Sequence, residues 1–304
     1  MTSVLSPDAR AQRAAAAAVE AAFERSCGFW AGVGSRLVRD PVALVSGAVI
    51  LILILLALFG PWLTPGDPYK TSIINRLKPI GTEHFPLGTD ELGRDMLSRL
   101  MVGARLSLFM GITPVLIAFI IGSAIGILAG YTGGWLNSTI MRSIDVLYAF
   151  PSVLLAIALS GALGAGIGNA LLSLTIVFIP PIARVAESVT TQVRGRDFVE
   201  AARASGAGGF TIVRVHVLGN VLGPIFVYAT SLIAVSMILA SGLSFLGLGV
   251  RPPEPEWGLM LNTLRTAIYT QPWIAALPGV MIFITSISFN LLSDSLRSAM
   301  DVKG

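Results

Sequence analysis

Four stretches of this chain, Leu106–Met141, Val146–Ala183, Val217–Val250 and Thr266–Ser293, contain no Asp, Glu, Lys, Arg or His. A further apolar run, Val42–Leu63, stands ahead of them. In hydrocarbon every backbone N–H and C=O must find its partner within the protein, so helices are the expected spanning form. Roughly 20 residues carry a helix across about 30 Å of hydrocarbon. On that scale the chain divides into six predicted spans, at about Val42–Leu63, Leu106–Gly130, Ile144–Leu163, Ala170–Ala186, Ile225–Leu248 and Trp273–Leu292. The fourth carries Pro180-Pro181, where a kink is expected because proline removes a backbone donor. The alternation in ten-residue units that marks a membrane barrel is absent. Composition agrees. Only 12% of residues are charged and 54% are hydrophobic, against about 25% charged in a soluble domain. The expected fold class is an all-α membrane protein with six transmembrane helices.

Residues 1–41 read as a cytoplasmic N-terminal tail. They are polar, Ala-rich and carry Arg10, Arg13, Arg25, Arg36 and Arg39. The first apolar run begins after Pro41 and is too long for a signal-peptide core. Ala9–Ser26 is predicted as an exposed helix from its good helix formers. With the N-terminus inside, 13 of the 21 Lys and Arg residues fall in cytoplasmic parts. Six of the other eight lie in the first outside loop, and without that loop the ratio is 13 to 2. Both termini are therefore expected in the cytoplasm. Residues 42–304 form one transmembrane domain. Its periplasmic loops are 64–105 and 249–272, and its cytoplasmic loop is 187–224. Within the first outside loop, Asp90–Met101 is predicted as an interfacial helix.

Several chemistries are excluded. Cys27 is the single cysteine and the two histidines, His84 and His216, are far apart, so neither a disulfide nor a metal cluster is expected. The pI near 9.6 is explained by cytoplasmic arginines, and the basic residues form no aromatic-interleaved cluster for nucleic acid. The spans hold no nucleophile with its base and no paired carboxylates, so no catalytic residue is assigned. They also lack the intramembrane ionisable groups that couple a carrier to ions. Asp145, beside Arg142, reads as a local ion pair or helix-end contact. No Gly-Lys pair exists anywhere, so the chain has no Walker A loop. Gly164–Gly168 is a short outside turn rather than a phosphate loop. Gly111, Gly122, Gly126 and Gly130 allow close helix approach, either across a subunit seam or within the bundle.

Between two spans lies a polar island, Arg194–Pro224, with Arg194, Arg196, Asp197, Glu200, Arg203 and Arg214. Glu200-Ala201-Ala202 followed by Gly206 reads as a helix that stops at a glycine turn. Five motifs in order then resemble one family. They are His84-Phe85-Pro86-Leu87-Gly88-Thr89-Asp90-Glu91-Leu92-Gly93-Arg94-Asp95, the stretch from Gly130-Tyr131 to Phe150-Pro151, Glu200–Ala207, the stretch from Gly242 to Trp257-Gly258, and Phe289–Arg297. Together they resemble the second permease subunit of dipeptide and oligopeptide ABC importers, a group that includes nickel and glutathione importers. Where that family commonly has His-Ile-Leu-Pro-Asn, this chain has His216-Val217-Leu218-Gly219-Asn220, so a permissive turn at Gly219 is expected.

The resemblance implies an ABC-importer permease in a bacterial inner membrane. It implies a homologous second permease, two ATP-binding subunits that hold ATP and Mg, and an extracytoplasmic substrate-binding protein. It places ATPase coupling at Glu200, Ala201, Ala202, Arg203, Gly206 and Asn220. Glu200 would meet a donor on the ATPase or cap its own helix. Asp90, Arg94, Pro252, Pro253 and Trp257 are candidates for a periplasmic gate or a binding-protein contact, with Trp257 read foremost as an interfacial anchor. Di- and oligopeptides are the expected cargo, with nickel, glutathione or an opine-like solute as alternatives. A stand-alone carrier, a membrane-embedded enzyme and a structural scaffold are the competing classes.

Overall fold

The computed structural model describes residues 32–300. The predicted Ala9–Ser26 helix and Cys27 lie outside them. Helix α1, Pro41–Leu63, starts with Asp40 accepting the Val42 N–H at 2.9 Å and with Pro41 in the first turn, the pairing that helix starts favour. Helix α2, Met96–Thr132, is 37 residues long. The predicted interfacial helix at Asp90–Met101 is not formed. Asp90–Arg94 is a turn, and Asp95 caps α2 by accepting the Ser98 N–H at 2.9 Å.

The predicted third span is a bent pair. Helices α3, Gly134–Tyr148, and α4, Ser152–Leu163, meet at 84° across a short break that ends at Pro151. Proline has no N–H to continue the ladder and disfavours helical geometry in the residue before it. At 1.5 Å per residue the 12 residues of α4 cover about 18 Å, less than a full crossing. Helix α5, Ile167–Arg194, is assigned as helix throughout, Pro180 and Pro181 included.

Helix α6 is Asp197–Ala204. Helix α7 then runs Gly209–Phe245, with a π-helical segment at Val213–Val217. Gly219 and Asn220 therefore sit inside a helix, and the turn expected at Gly219 is absent. The following segment contains α8, Trp257–Thr263, and a 3-10 turn at Arg265–Tyr269, before α9, Pro272–Met300. Among the described residues, five helices are long and apolar enough to cross a membrane, and the bent pair makes a sixth if counted as one span.

The glycines of α2 settle the packing alternative in favour of contact within the bundle. A Cβ at Gly126 would come within 2.6 Å of the Ala186 Cβ, and one at Gly130 within 2.7 Å of the Glu187 carbonyl. Both neighbours belong to α5, so α2 and α5 approach backbone to backbone. Gly111 instead meets Met237 of α7. One apolar cluster joins α2, α5 and α7, and a second joins α1, α2, α8 and α9 around the fully buried Trp257.

Candidate functional site

Helix α6 is the element most clearly built for display. Its end is a Schellman motif. Gly206 has φ +83°, its N–H donates to the Arg203 carbonyl at 3.0 Å, and the Ala207 N–H donates to the Ala202 carbonyl at 3.1 Å. Only glycine adopts this geometry without a Cβ penalty. The buried face of α6 is Val199, which packs in the same apolar cluster as Ile212 and Val217. Phe198 lies beside His216, with ring centroids 6.5 Å apart.

The outward face carries Glu200, Ala201, Arg203 and Gly206, all exposed, with Ala202 half-buried beneath them. No side-chain bond caps the start of α6, so the self-capping alternative for Glu200 is not realised. Among the described residues neither Glu200 nor Arg203 takes part in an ion pair. Asn220 is exposed one turn beyond His216, whose carbonyl it bonds at 2.7 Å. Sequence reasoning missed the apolar rim of this surface. Phe210 is 80% exposed, and Phe198 and Val215 are also exposed. The available signal was three large apolar residues, Phe198, Phe210 and Val215, set inside an otherwise charged island.

Beside α6 the bundle is braced by polar contacts. Arg194 reaches the carbonyls of Gly130 and Tyr131 at 3.3 and 3.2 Å, satisfying acceptors at the end of α2. Asn137 of α3 donates to Glu187 of α5 at 2.7 Å. Asp145 pairs with Arg184 of α5 rather than with Arg142. These contacts tie α3 to α5. Above them, where α3 bends into α4, lies a concavity of about 390 Å³. Its walls include Tyr148, Pro151, Phe178, Pro181, Tyr228 and Leu232, and no charged residue lines it.

The opposite end of the bundle holds the other candidates. Asp90 and Arg94 are buried and bonded to each other at 2.6 Å, while Arg99 Nε lies 3.2 Å from the same carboxylate. Their side chains organise the loop and present nothing to a partner. Trp257 is also corrected. It is fully buried and its indole N–H donates to the Leu100 carbonyl at 3.0 Å, which rules out an interfacial anchor. It is seated by Glu256, which caps α8 by accepting the N–H groups of Gly258 and Leu259, both at 2.8 Å. Burial pushes the Glu256 carboxyl above its ordinary range, against those hydrogen bonds. Only Pro252 and Pro253 of this set are exposed.

The sequence and the fold both resemble known transporters. Residues 122–302 match the family described as the binding-protein-dependent transport system inner membrane component. Residues 28–79 match the N-terminal transmembrane domain of oligopeptide transport permease C. The chain is 41% identical over 274 residues to a glutathione transport system permease protein of Pectobacterium atrosepticum, covering 90% of this chain and 91% of the relative. It is 40% identical to a dipeptide transport system permease protein of Alkalihalophilus pseudofirmus, covering 90% of each. The fold is similar to that of a chain in the inward-facing MetNI methionine ABC transporter, with TM-score 0.56, 21% identity, 67% of this chain and 97% of that one. Permeases of this kind are not themselves enzymes; hydrolysis belongs to partner subunits. The chain belongs to the binding-protein-dependent ABC permeases of the peptide type, multi-pass proteins of the inner membrane.

Proposed function

We propose that this chain forms half of the translocation path of an ATP-driven importer for dipeptides, short oligopeptides or the tripeptide glutathione. The observation that carries the reading is α6, a short helix whose charged and apolar outer face is displayed with no partner among the described residues. In this account the α6 end faces the cytoplasm and both termini lie there. One of two ATP-binding subunits docks on α6, and the pair of them holds ATP and Mg. A second permease completes the path, and a substrate-binding protein delivers cargo from the other face.

The bend between α3 and α4 is this chain's share of the path. An uncharged wall with the phenol hydroxyls of Tyr148 and Tyr228 suits solutes that carry many neutral peptide groups. It offers no fixed charge to trap a cationic or anionic end. Movement of α6 passes to that bend through α5, because Arg184 holds Asp145 and Glu187 holds Asn137.

The complete transporter in sealed vesicles tests this reading. Labelled dipeptide or glutathione should accumulate inside only when ATP and the substrate-binding protein are both supplied. Accumulation without ATP would favour a stand-alone carrier. Concentration of nickel but of no peptide would overturn the cargo class.

A further inference from the structure

Three parts of the bundle wall the concavity where α3 bends into α4. Tyr228, Leu232 and Val235 follow one another along a single stripe of α7, Phe178 and Pro181 come from α5, and Tyr148 comes from the end of α3. One helical turn nearer to α6, about 5 Å along each helix, α3 carries Asp145 and α5 carries Arg184, and these two pair with each other. The concavity thus has a charge-neutral ion pair next to it on the α6 side and no charge in its own wall.

The two tyrosines set this wall apart from a surface made for lipid. A phenol hydroxyl both donates and accepts a hydrogen bond. That of Tyr69, in the loop between α1 and α2, donates to Glu254 at 3.0 Å. Those of Tyr148 and Tyr228 have no partner among the described residues, and both side chains line the same space. Tyr148 is 55% exposed there.

The free hydroxyls choose the occupant. A hydroxyl covered by an apolar group loses its hydration and gains nothing in return. A lipid tail has no partner to offer. The apolar face of a neighbouring membrane helix has none either, because its backbone groups are bonded within the helix. A peptide group has both, an N–H and a C=O, and needs no charge opposite it. The volume of about 390 Å³ falls in the range of small-molecule sites, about 300–1,000 Å³. Two neutral hydrogen bonds also hold a solute weakly enough to let it leave, as a path requires.

We propose that Tyr148 and Tyr228 form a cargo-binding subsite within the permease itself, where their hydroxyls take the N–H and C=O of a peptide group in transit and impose a second selection after the substrate-binding protein. This rests on the reading above that the bend lines the path. The test uses the complete transporter in sealed vesicles, with the same purified substrate-binding protein throughout, so that a change of preference belongs to the permease. Two cargoes are compared at concentrations that saturate that protein: a dipeptide and its analogue methylated on the peptide nitrogen. Wild type should favour the unmethylated dipeptide. Tyr148→Phe/Tyr228→Phe should lower dipeptide uptake about tenfold through two lost hydrogen bonds. It should leave ATP hydrolysis near the wild-type rate and bring the ratio of the two uptake rates closer to one. Val235→Trp, at a position 44% exposed, narrows the same space and keeps both hydroxyls, so it should slow both cargoes. An unchanged ratio in the tyrosine variant overturns the subsite, whether or not its uptake falls. So does loss of the second permease from that variant on purification, which would place the tyrosines in a permease contact. Wild-type uptake of both cargoes by Val235→Trp overturns it as well. These results leave the importer reading standing, whereas a wild-type transporter that takes up no peptide removes the proposed function too.

Discussion

Glu256 concentrates much of the loop end's stability in one side chain. Its two oxygens satisfy two N–H groups that the start of α8 would otherwise leave unpaired. Ser107 of α2 lies within 3.4 Å of the same carboxylate and accepts the Trp257 N–H at 3.1 Å. The carboxyl is held above its ordinary range by burial. The folded chain therefore binds this proton more tightly than the unfolded chain does. Stability from this group is largest at low pH and falls as pH rises through the raised value. Thermal unfolding in detergent should show stability falling as pH rises above the ordinary carboxylate range, and Glu256→Gln, which cannot ionise, should flatten that slope. A slope unchanged in the variant would remove Glu256 from the account. Trp257 was legible as a residue of the motif that runs from Gly242 to Gly258, Glu256 was not singled out, and the two were not legible as a buried unit. Nothing in Pro-Glu-Trp-Gly indicates that Leu100 and Ser107, some 150 positions earlier in the sequence, close over them. The same holds for Asp90 and Arg94, whose exposed reading failed because their partners are each other and Arg99.

At the scale of elements, helix existence follows from the apolar runs, while helix ends follow from caps and contacts. Gly206 and Gly247 both stop their helices in Schellman geometry, with φ +83° and +78°; the stop at Gly206 was readable from glycine at the end of a helical pattern, whereas Gly247 lay inside the predicted span Ile225–Leu248. The bend between α3 and α4 was less readable. Its 84° turn comes from Pro151 together with side contacts of α3 to α5. Gly219 misled because glycine permits a turn without requiring one. The α2–α5 seam gives a direct test. Gly126→Val should force the two backbones apart and cost on the order of 3 kcal/mol, read as loss of monodisperse protein in detergent. Gly161→Ala in α4, where a Cβ meets nothing within 4 Å, should be neutral. Equal behaviour of the two variants would contradict the backbone contact.

In the whole molecule a displayed helix at one end is joined to an uncharged concavity at the bend between α3 and α4. The linking element is α5. It packs on α2 through the glycine seam, carries Arg184 and Glu187 to α3, and ends next to α6. A rigid link of this kind can pass a displacement of α6 to the concavity. The apolar spans and the α6 helix were visible in the sequence because hydropathy and the glycine stop are local signals. The concavity was not, since its walls come from residues distant in the chain.

ATP-driven uptake by the complete transporter in vesicles tests the central claim most directly, measured for wild type, Glu200→Arg and Gly206→Leu. Glu200 is exposed and makes no ion pair among the described residues, so its charge reversal leaves the fold intact. Gly206 has open space around it, but a side chain at φ +83° costs about 1–2 kcal/mol and distorts the end of α6. The account predicts that both variants insert in the membrane and that their uptake falls to the level seen without ATP. Wild-type uptake by membrane-inserted Glu200→Arg would contradict coupling through α6.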